Sequence, residues 1–123
     1  MKVFLSHSSS FDYVSELYEP LKGSLAIDHD IFFPHDSDKD GINTKDIIPV
    51  CDLMLAEVSH PSTGQGIEIG WASANNIPII CIYRSGTKPS SAIRFISDRV
   101  IEYSSSEDMI KKLRTEIANQ AVL

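Results

Sequence analysis

Leu53-Met54-Leu55-Ala56-Glu57-Val58 runs directly into Ser59-His60-Pro61-Ser62-Thr63-Gly64-Gln65-Gly66-Ile67-Glu68-Ile69-Gly70-Trp71-Ala72. A short apolar run, a Pro-Ser-Thr-Gly turn and a segment of helical period follow one another, which reads as strand, tight turn and helix. The helix is expected from about Gly66 to Asn75. The same alternation extends in both directions. Upstream, Val3, Phe4 and Leu5 open a strand, and Phe11, Val14, Leu17, Tyr18 and Leu21 recur at helical spacing until Pro20 and Gly23 end the helix. Ile31, Phe32 and Phe33 make a short strand stopped by Pro34. The Asp-rich stretch from Pro34 to Asn43 reads as a loop, and a short helix around Thr44 to Val50 leads back to Leu53.

Downstream, Pro78-Ile79-Ile80-Cys81-Ile82-Tyr83 is the most continuous apolar run and is expected at the centre of the sheet. Arg99 to Glu102 supplies a fifth strand. Ser105 and Asp108 form a capping box ahead of a last helix whose apolar face is Met109, Ile110, Leu113 and Ile117. Strands this apolar, alternating with helices, call for an α/β fold: a five-stranded parallel sheet with helices on both faces. In such sheets ligands bind outside the carboxyl ends of the strands. The 123 residues suit one domain, residues 1–123, and no repeat, low-complexity tract or linker divides them.

Charge narrows the partners. Seventeen acidic residues against eleven basic ones give a formal net charge of -6. Polymeric nucleic acid and anionic membrane both demand clustered Lys and Arg, so neither is expected. One small phosphorylated ligand is still within reach of a few backbone N–H groups. Cys51 and Cys81 each lie in or beside apolar runs and read as buried free thiols. The start of the chain lacks the apolar stretch of a secretory signal, and no segment approaches the roughly 20 apolar residues of a membrane span, so a cytoplasmic location is expected.

In the turn before the central helix, Gly64 and Gly66 let a ligand approach the backbone and Ser62 offers a hydroxyl. The helix N-terminus presents unpaired N–H groups to an anion. Glu68 is expected in the first helical turn, pointing to the same crevice. A dipole-compensating carboxylate is the plainer account of such a residue. The Gly spacing does not make a dinucleotide fingerprint, because the third glycine, Gly70, is one residue late.

At these residues the chain resembles the nucleoside 2-deoxyribosyltransferase family, which includes the deoxynucleoside 5'-monophosphate N-glycosidases. The likeness rests on Cys51 to Ser59 followed by Pro61-Ser62-x-Gly64-x-Gly66-x-Glu68-Ile69-Gly70-x-Ala72. It continues through a Pro-Ile-Ile strand and Ser91-Ala92-Ile93-Arg94, covering roughly Asp46 to Tyr103. The resemblance implies a flavodoxin-like, Rossmann-like sheet and cleavage of the bond between base and sugar in a (deoxy)nucleoside or nucleoside 5'-monophosphate. It implies that Glu68 attacks the anomeric carbon and forms a glycosyl ester, which water or a second base resolves with retention. Ser62, Gly64 and Gly66 would hold the 5' end of the sugar. Ser91 would reach a phosphate across the interface of a homodimer or higher homo-oligomer, although the cap of a short helix is an equal account of it. No metal or organic cofactor is implied.

One position departs from the family pattern. Members usually carry an Asp eight residues before the Asp that starts the central strand, and counting back from Asp52 lands on Thr44. Asp46 is the candidate to stand in as the second catalytic carboxylate, and Asp36 or His35 could reach in from the preceding loop.

Two other readings compete. Val3-Phe4-Leu5-Ser6-His7-Ser8-Ser9-Ser10-Phe11-Asp12 resembles the opening of TIR domains, some of which cleave NAD with a helix Glu. Under either reading Ser6, His7 and Ser8 are expected in a ligand loop after the first strand, unless they merely cap the next helix, for which Ser10 is the best cap. A nucleotide-binding sensor that lost the assisting carboxylate is the non-catalytic alternative. Asp36-Ser37-Asp38-Lys39-Asp40-Gly41 copies the start of a calcium-binding EF-hand loop, but Ile47 stands where the bidentate Glu is needed, so no metal is expected there.

Overall fold

A computed structural model describes residues 1–36 and 42–122, so most of the calcium-loop mimic, residues 37–41, lies outside the described residues. Five strands, β1 (Lys2–His7), β2 (Asp30–Phe32), β3 (Leu53–Glu57), β4 (Ile79–Arg84) and β5 (Val100–Tyr103), form one sheet in the order β2-β1-β3-β4-β5. Every pairing is parallel, with Leu5 opposite Leu55 and Ala56 opposite Cys81. This is the flavodoxin-like order, in which the chain reverses its direction of growth between β1 and β3.

Alternation along each strand sends residues to two cores. Val3, Leu5, Leu53, Leu55, Ile80 and Ile82 face one side, against Leu17, Leu21, Met109 and Leu113. Phe4, Met54, Ala56 and Cys81 face the other, against Ile48, Ile69 and Ala72. Burial of one Leu or Ile side chain stabilises by about 1.5–3 kcal/mol, so two continuous apolar faces explain why the strands read as unbroken runs. Cys51 and Cys81 are free and buried, and burial pushes the Cys81 thiol up to about 11. No helix among the described residues is long and apolar enough to cross a membrane.

Several boundaries differ from expectation, each for a local reason. The central strand is β3, not β4, and all five of its residues are buried, Glu57 included. β4 reads as equally apolar because it too is paired on both edges and covered on both faces. β1 extends to His7, so Ser6 and His7 are buried strand residues and not loop residues. The first helical segment starts at Val14 as a π-helical turn (Val14–Tyr18) and continues as α1 (Glu19–Lys22) through Pro20, closing at Gly23. Proline is tolerated at the start of an α-helix, where its missing N–H costs nothing, and the wider π turn ends just before it. Asp12, not Ser10, holds the helix start, its carboxylate accepting from the Ser15 N–H at 3.4 Å and from the Ser15 hydroxyl.

α2 (Leu25–Asp28) and α3 (Thr44–Ile47) are single turns, the latter running into a 3₁₀ turn at Ile48–Val50. α4 spans Thr63–Ala74, three residues earlier than expected, because Ser62 serves as N-cap with its Oγ accepting from the Gln65 N–H. A 3₁₀ turn at Ser91–Phe95 is capped by Ser90, not Ser91. α5 (Ser106–Val122) is capped as read: Ser105 Oγ accepts from the Asp108 N–H at 3.1 Å, and Asp108 accepts from the Ser104 N–H at 2.9 Å.

Candidate active site

The early start of α4 changes where Glu68 stands. It lies in the second helical turn, beyond the reach of a first-turn dipole role, and over the carboxyl end of β1. There the Ser6 hydroxyl donates to Glu68 Oε1 at 2.9 Å. Gln65, three residues earlier on α4, is buried and donates its amide to the carbonyls of Ser6 at 3.1 Å and Glu57 at 2.6 Å. One side chain thus ties the start of the helix to the ends of β1 and β3, and it fixes the height of Glu68 above the sheet.

Glu68 is half-buried, and loss of water pushes its carboxyl above the usual range. The hydroxyls of Ser6 and Thr44 and the charge of His35 oppose that rise. Thr44, at the position where a carboxylate was expected, therefore does lie near Glu68, but brings a hydroxyl in place of that carboxylate. Asp46 is exposed on α3, and the contact it makes through its backbone is an N–H bond to the Asn43 carbonyl at 3.2 Å. Asp36 is held by Lys22 at 3.0 Å. His35 comes closest to the expectation of a residue reaching in from the preceding loop.

Beside this carboxylate lies a nest of rings. His7 is 4.7 Å from Tyr13, 5.1 Å from Tyr18 and 5.1 Å from His35 between ring centroids, and Tyr13 is 5.4 Å from His35. Phe11 and His60 extend it, with centroids 5.2 Å apart. Burial holds the His7 imidazole down at about 4, so the ring is neutral near pH 7. Its tautomer follows from its partners. The Ser8 carbonyl, 2.7 Å from Nδ1, can only accept, so Nδ1 carries the proton. Nε2 then accepts from the Tyr18 hydroxyl at 2.7 Å, and the Tyr18 oxygen in turn accepts the His35 backbone N–H at 3.0 Å. Burial raises the Tyr18 phenol, which keeps it a donor.

The remaining expected residues divide. Ser62 is exposed at the α4 cap, and Gly64 and Gly66 lie in the first turn. A Cβ at either glycine would meet nothing within 4 Å, so the protein's own packing does not require glycine there. Ser8 is buried in a local turn with Ser10, its Oγ 2.8 Å from that of Ser10. Ser91 is exposed on the 3₁₀ turn. That turn and α4 enclose an apolar groove of about 620 Å³ lined by Val58, Ser62, Gly66, Ile69, Ile93 and Phe95. Glu68 does not line it, being about 100° round the helix from Ile69.

Tyr18, Gln65 and Thr44 were not singled out by sequence as partners of the site, and neither was a second buried carboxylate, Glu57. Glu57 accepts from the Ser59 N–H at 2.7 Å, from the Ser59 hydroxyl at 2.9 Å and from the Tyr103 hydroxyl. A tyrosine at helical spacing looks like a core residue; only its obligation to pair a buried hydroxyl hints at more.

No family model matches the chain. It is 41% identical over 70 residues to a Syntrophotalea carbinolica protein named for 2'-deoxynucleoside 5'-phosphate N-hydrolase activity, covering 54% of this chain and 49% of that one. It is 37% identical over 75 residues to the 5-hydroxymethyl-dUMP N-hydrolase of Danio rerio, covering 55% and 52%. The chain spans about half the length of these curated relatives. Among solved structures, the CMP N-glycosidase BcmB of Clostridium botulinum superposes with a TM-score of 0.69 at 26% identity, over 93% of this chain and 99% of that one. The resemblance to the nucleoside 2-deoxyribosyltransferase family therefore holds in sequence and in fold.

Proposed function

We propose that this chain, a relative of the nucleoside 2-deoxyribosyltransferase family in sequence and fold, cleaves the N-glycosidic bond of a small nucleotide, with Glu68 as nucleophile. The observation that carries this is the half-buried Glu68 carboxylate, held by the Ser6 hydroxyl at 2.9 Å where the sheet opens. Desolvation makes the carboxylate more basic, and the Ser6 hydroxyl fixes its orientation.

In the first step a Glu68 oxygen forms a bond to C1' of the sugar as the C1'–N bond breaks and its electron pair leaves with the base. Water then attacks C1', the ester C–O bond breaks and the carboxylate returns, so the anomer is retained. The open first turn of α4 at Gly64 and Gly66, with Ser62 beside it, suits a 5'-phosphate, which a helix N-terminus attracts. The ring nest of Phe11, Tyr13, His35 and His60 offers faces on which the base can stack. The chain acts as a homodimer in this scheme: the groove between α4 and the 3₁₀ turn, with Phe95 77% exposed on its rim, takes a second copy, whose Ser91 approaches the phosphate.

The experiment is base release. The purified protein is incubated with nucleosides, their 5'-monophosphates, 2'-deoxy forms of both, and NAD, and any freed base is identified. Release from monophosphates that disappears in Glu68→Ala supports the proposal. Release of nicotinamide alone, or release that survives Glu68→Ala, refutes it.

A further inference from the structure

Cleaving an N-glycosidic bond leaves an electron pair on the base, and a poor leaving base needs a proton as it departs. Among the described residues around Glu68, none of the groups shown to act on it is a second carboxylate: they are Ser6, Thr44, His35 and Tyr18. Thr44 cannot supply a proton as an acid at neutral pH. Burial raises the Tyr18 phenol and its hydroxyl is spent on His7, which leaves His35 as the member able to give up a proton.

Three observations locate it. Its ring contacts His7 and Tyr13 in the nest, with centroids at 5.1 and 5.4 Å. Its backbone is anchored, because its N–H donates to the same Tyr18 oxygen whose hydroxyl fixes the His7 tautomer. Its charge acts on both Glu68 and His7. The His35 side chain is nevertheless exposed, so it is open to a substrate lying between the nest and Glu68. The other histidine of the pair is unsuited: His7 is buried, neutral, and committed at both nitrogens.

We propose that His35 is the general acid that protonates the departing base, in place of the carboxylate that Thr44 replaces; this rests on the proposed role of Glu68. As the C1'–N bond breaks, the imidazolium passes its proton to the base, which leaves neutral, and the ring becomes neutral. In the second step the neutral ring takes a proton from the water that attacks C1', so His35 is recharged as Glu68 is released. The net reaction consumes one water and needs no other reactant. Among the described residues, the groups facing His35 are His7 from β1, Tyr13 from the residue before the π turn, Tyr18 from the turn itself and Glu68 from α4. Asp36, next in the chain, is paired with Lys22. A general acid acts only while it holds its proton, so the rate falls on the alkaline side of the profile.

The test uses His35→Gln and His35→Asn, compared with Asp46→Asn and Glu68→Ala, on the monophosphate cleaved fastest and on 7-methyl-dGMP, whose base leaves without being protonated. The expected result is a loss in kcat of about 100-fold or more in both His35 variants on the ordinary nucleotide, with the alkaline limb of the pH profile gone. On 7-methyl-dGMP the same variants lose less than about 3-fold, the pattern of a missing acid and not of a damaged pocket. Equal losses on both substrates, a retained alkaline limb, or a larger loss in Asp46→Asn than in the His35 variants overturns the assignment. If Glu68→Ala abolishes cleavage while the His35 variants do not reduce it, only the His35 role falls; if Glu68→Ala retains cleavage, the nucleophile falls first.

Discussion

The Ser6 hydroxyl and the Glu68 carboxylate meet at 2.9 Å across 62 positions of sequence, joining the carboxyl end of strand β1 to the second turn of α4. Ser6 is fully buried and Glu68 is half-buried, so the bond orients a carboxylate that is still reachable from solvent. Hydrogen bonds to a charged group are worth about 1.5–3 kcal/mol, and each 1.4 kcal/mol is about a tenfold change in rate. Ser6→Ala is therefore expected to lower kcat/KM by roughly 10- to 100-fold. Because the hydroxyl also restrains the upward push of burial on Glu68, the acid limb of the pH profile should move to higher pH in that variant. Steady-state kinetics across pH measures both.

Glu68 also bears on stability, with a sign that can be worked out. Its carboxyl is raised in the folded protein, chiefly by desolvation, so the folded state binds the proton more tightly than the unfolded chain does. Stability from this group therefore increases as pH falls through the raised value and is lost as pH rises above it. Glu68→Gln, neutral at all pH, should raise the melting temperature at pH 7 while abolishing cleavage. The gain should shrink as both proteins are taken to acid pH. Thermal melts at several pH values check this.

Gly66 separates ligand space from helix stability. A methyl there meets no protein atom, and an exposed helical Gly is destabilising by about 0.5–1 kcal/mol relative to Ala. Gly66→Ala should raise the melting temperature by a few degrees and yet raise KM for a monophosphate, because the added methyl occupies the space of the 5' end. Calorimetry and kinetics on one preparation decide it. A lower melting temperature would mean that the glycine serves the fold.

The proposed dimer face turns on Phe95. An exposed aromatic beside an apolar groove costs little alone and stabilises an interface when covered. Phe95→Glu should give a monomer by light scattering at concentrations where the unchanged protein is a dimer, with secondary structure intact. A dimer that persists in the variant would move the interface elsewhere.

Much of this was legible in the sequence because burial on both faces of a parallel sheet leaves long apolar runs, and the five strands and the crevice at their carboxyl ends follow from those runs. What was less legible depends on pairing. Nothing local to Tyr83 or Glu57 shows that β3, not β4, takes the middle of the sheet; that depends on which strands the crossovers bring together. Ser6 and His7 look like loop residues because they are polar, yet each is buried and finds a partner elsewhere in the chain, Glu68 or Tyr18. Ser62 reads as a turn residue, but it caps α4, and that places Glu68 in the second turn and not the first. Thr44 stands where the sequence pattern lacks a carboxylate, but only the fold brings its hydroxyl near Glu68.

The central claim is a covalent bond between Glu68 and the sugar. The most direct measurement is intact and peptide mass spectrometry of the protein quenched in acid during turnover of the monophosphate it cleaves fastest, or after treatment with the 2'-fluoro analogue of that nucleotide. A mass increase equal to the sugar phosphate, on the peptide containing Glu68 and lost in Glu68→Gln, is the expected result. Steady base release with no adduct at any quench time, or an adduct on another residue, would contradict it.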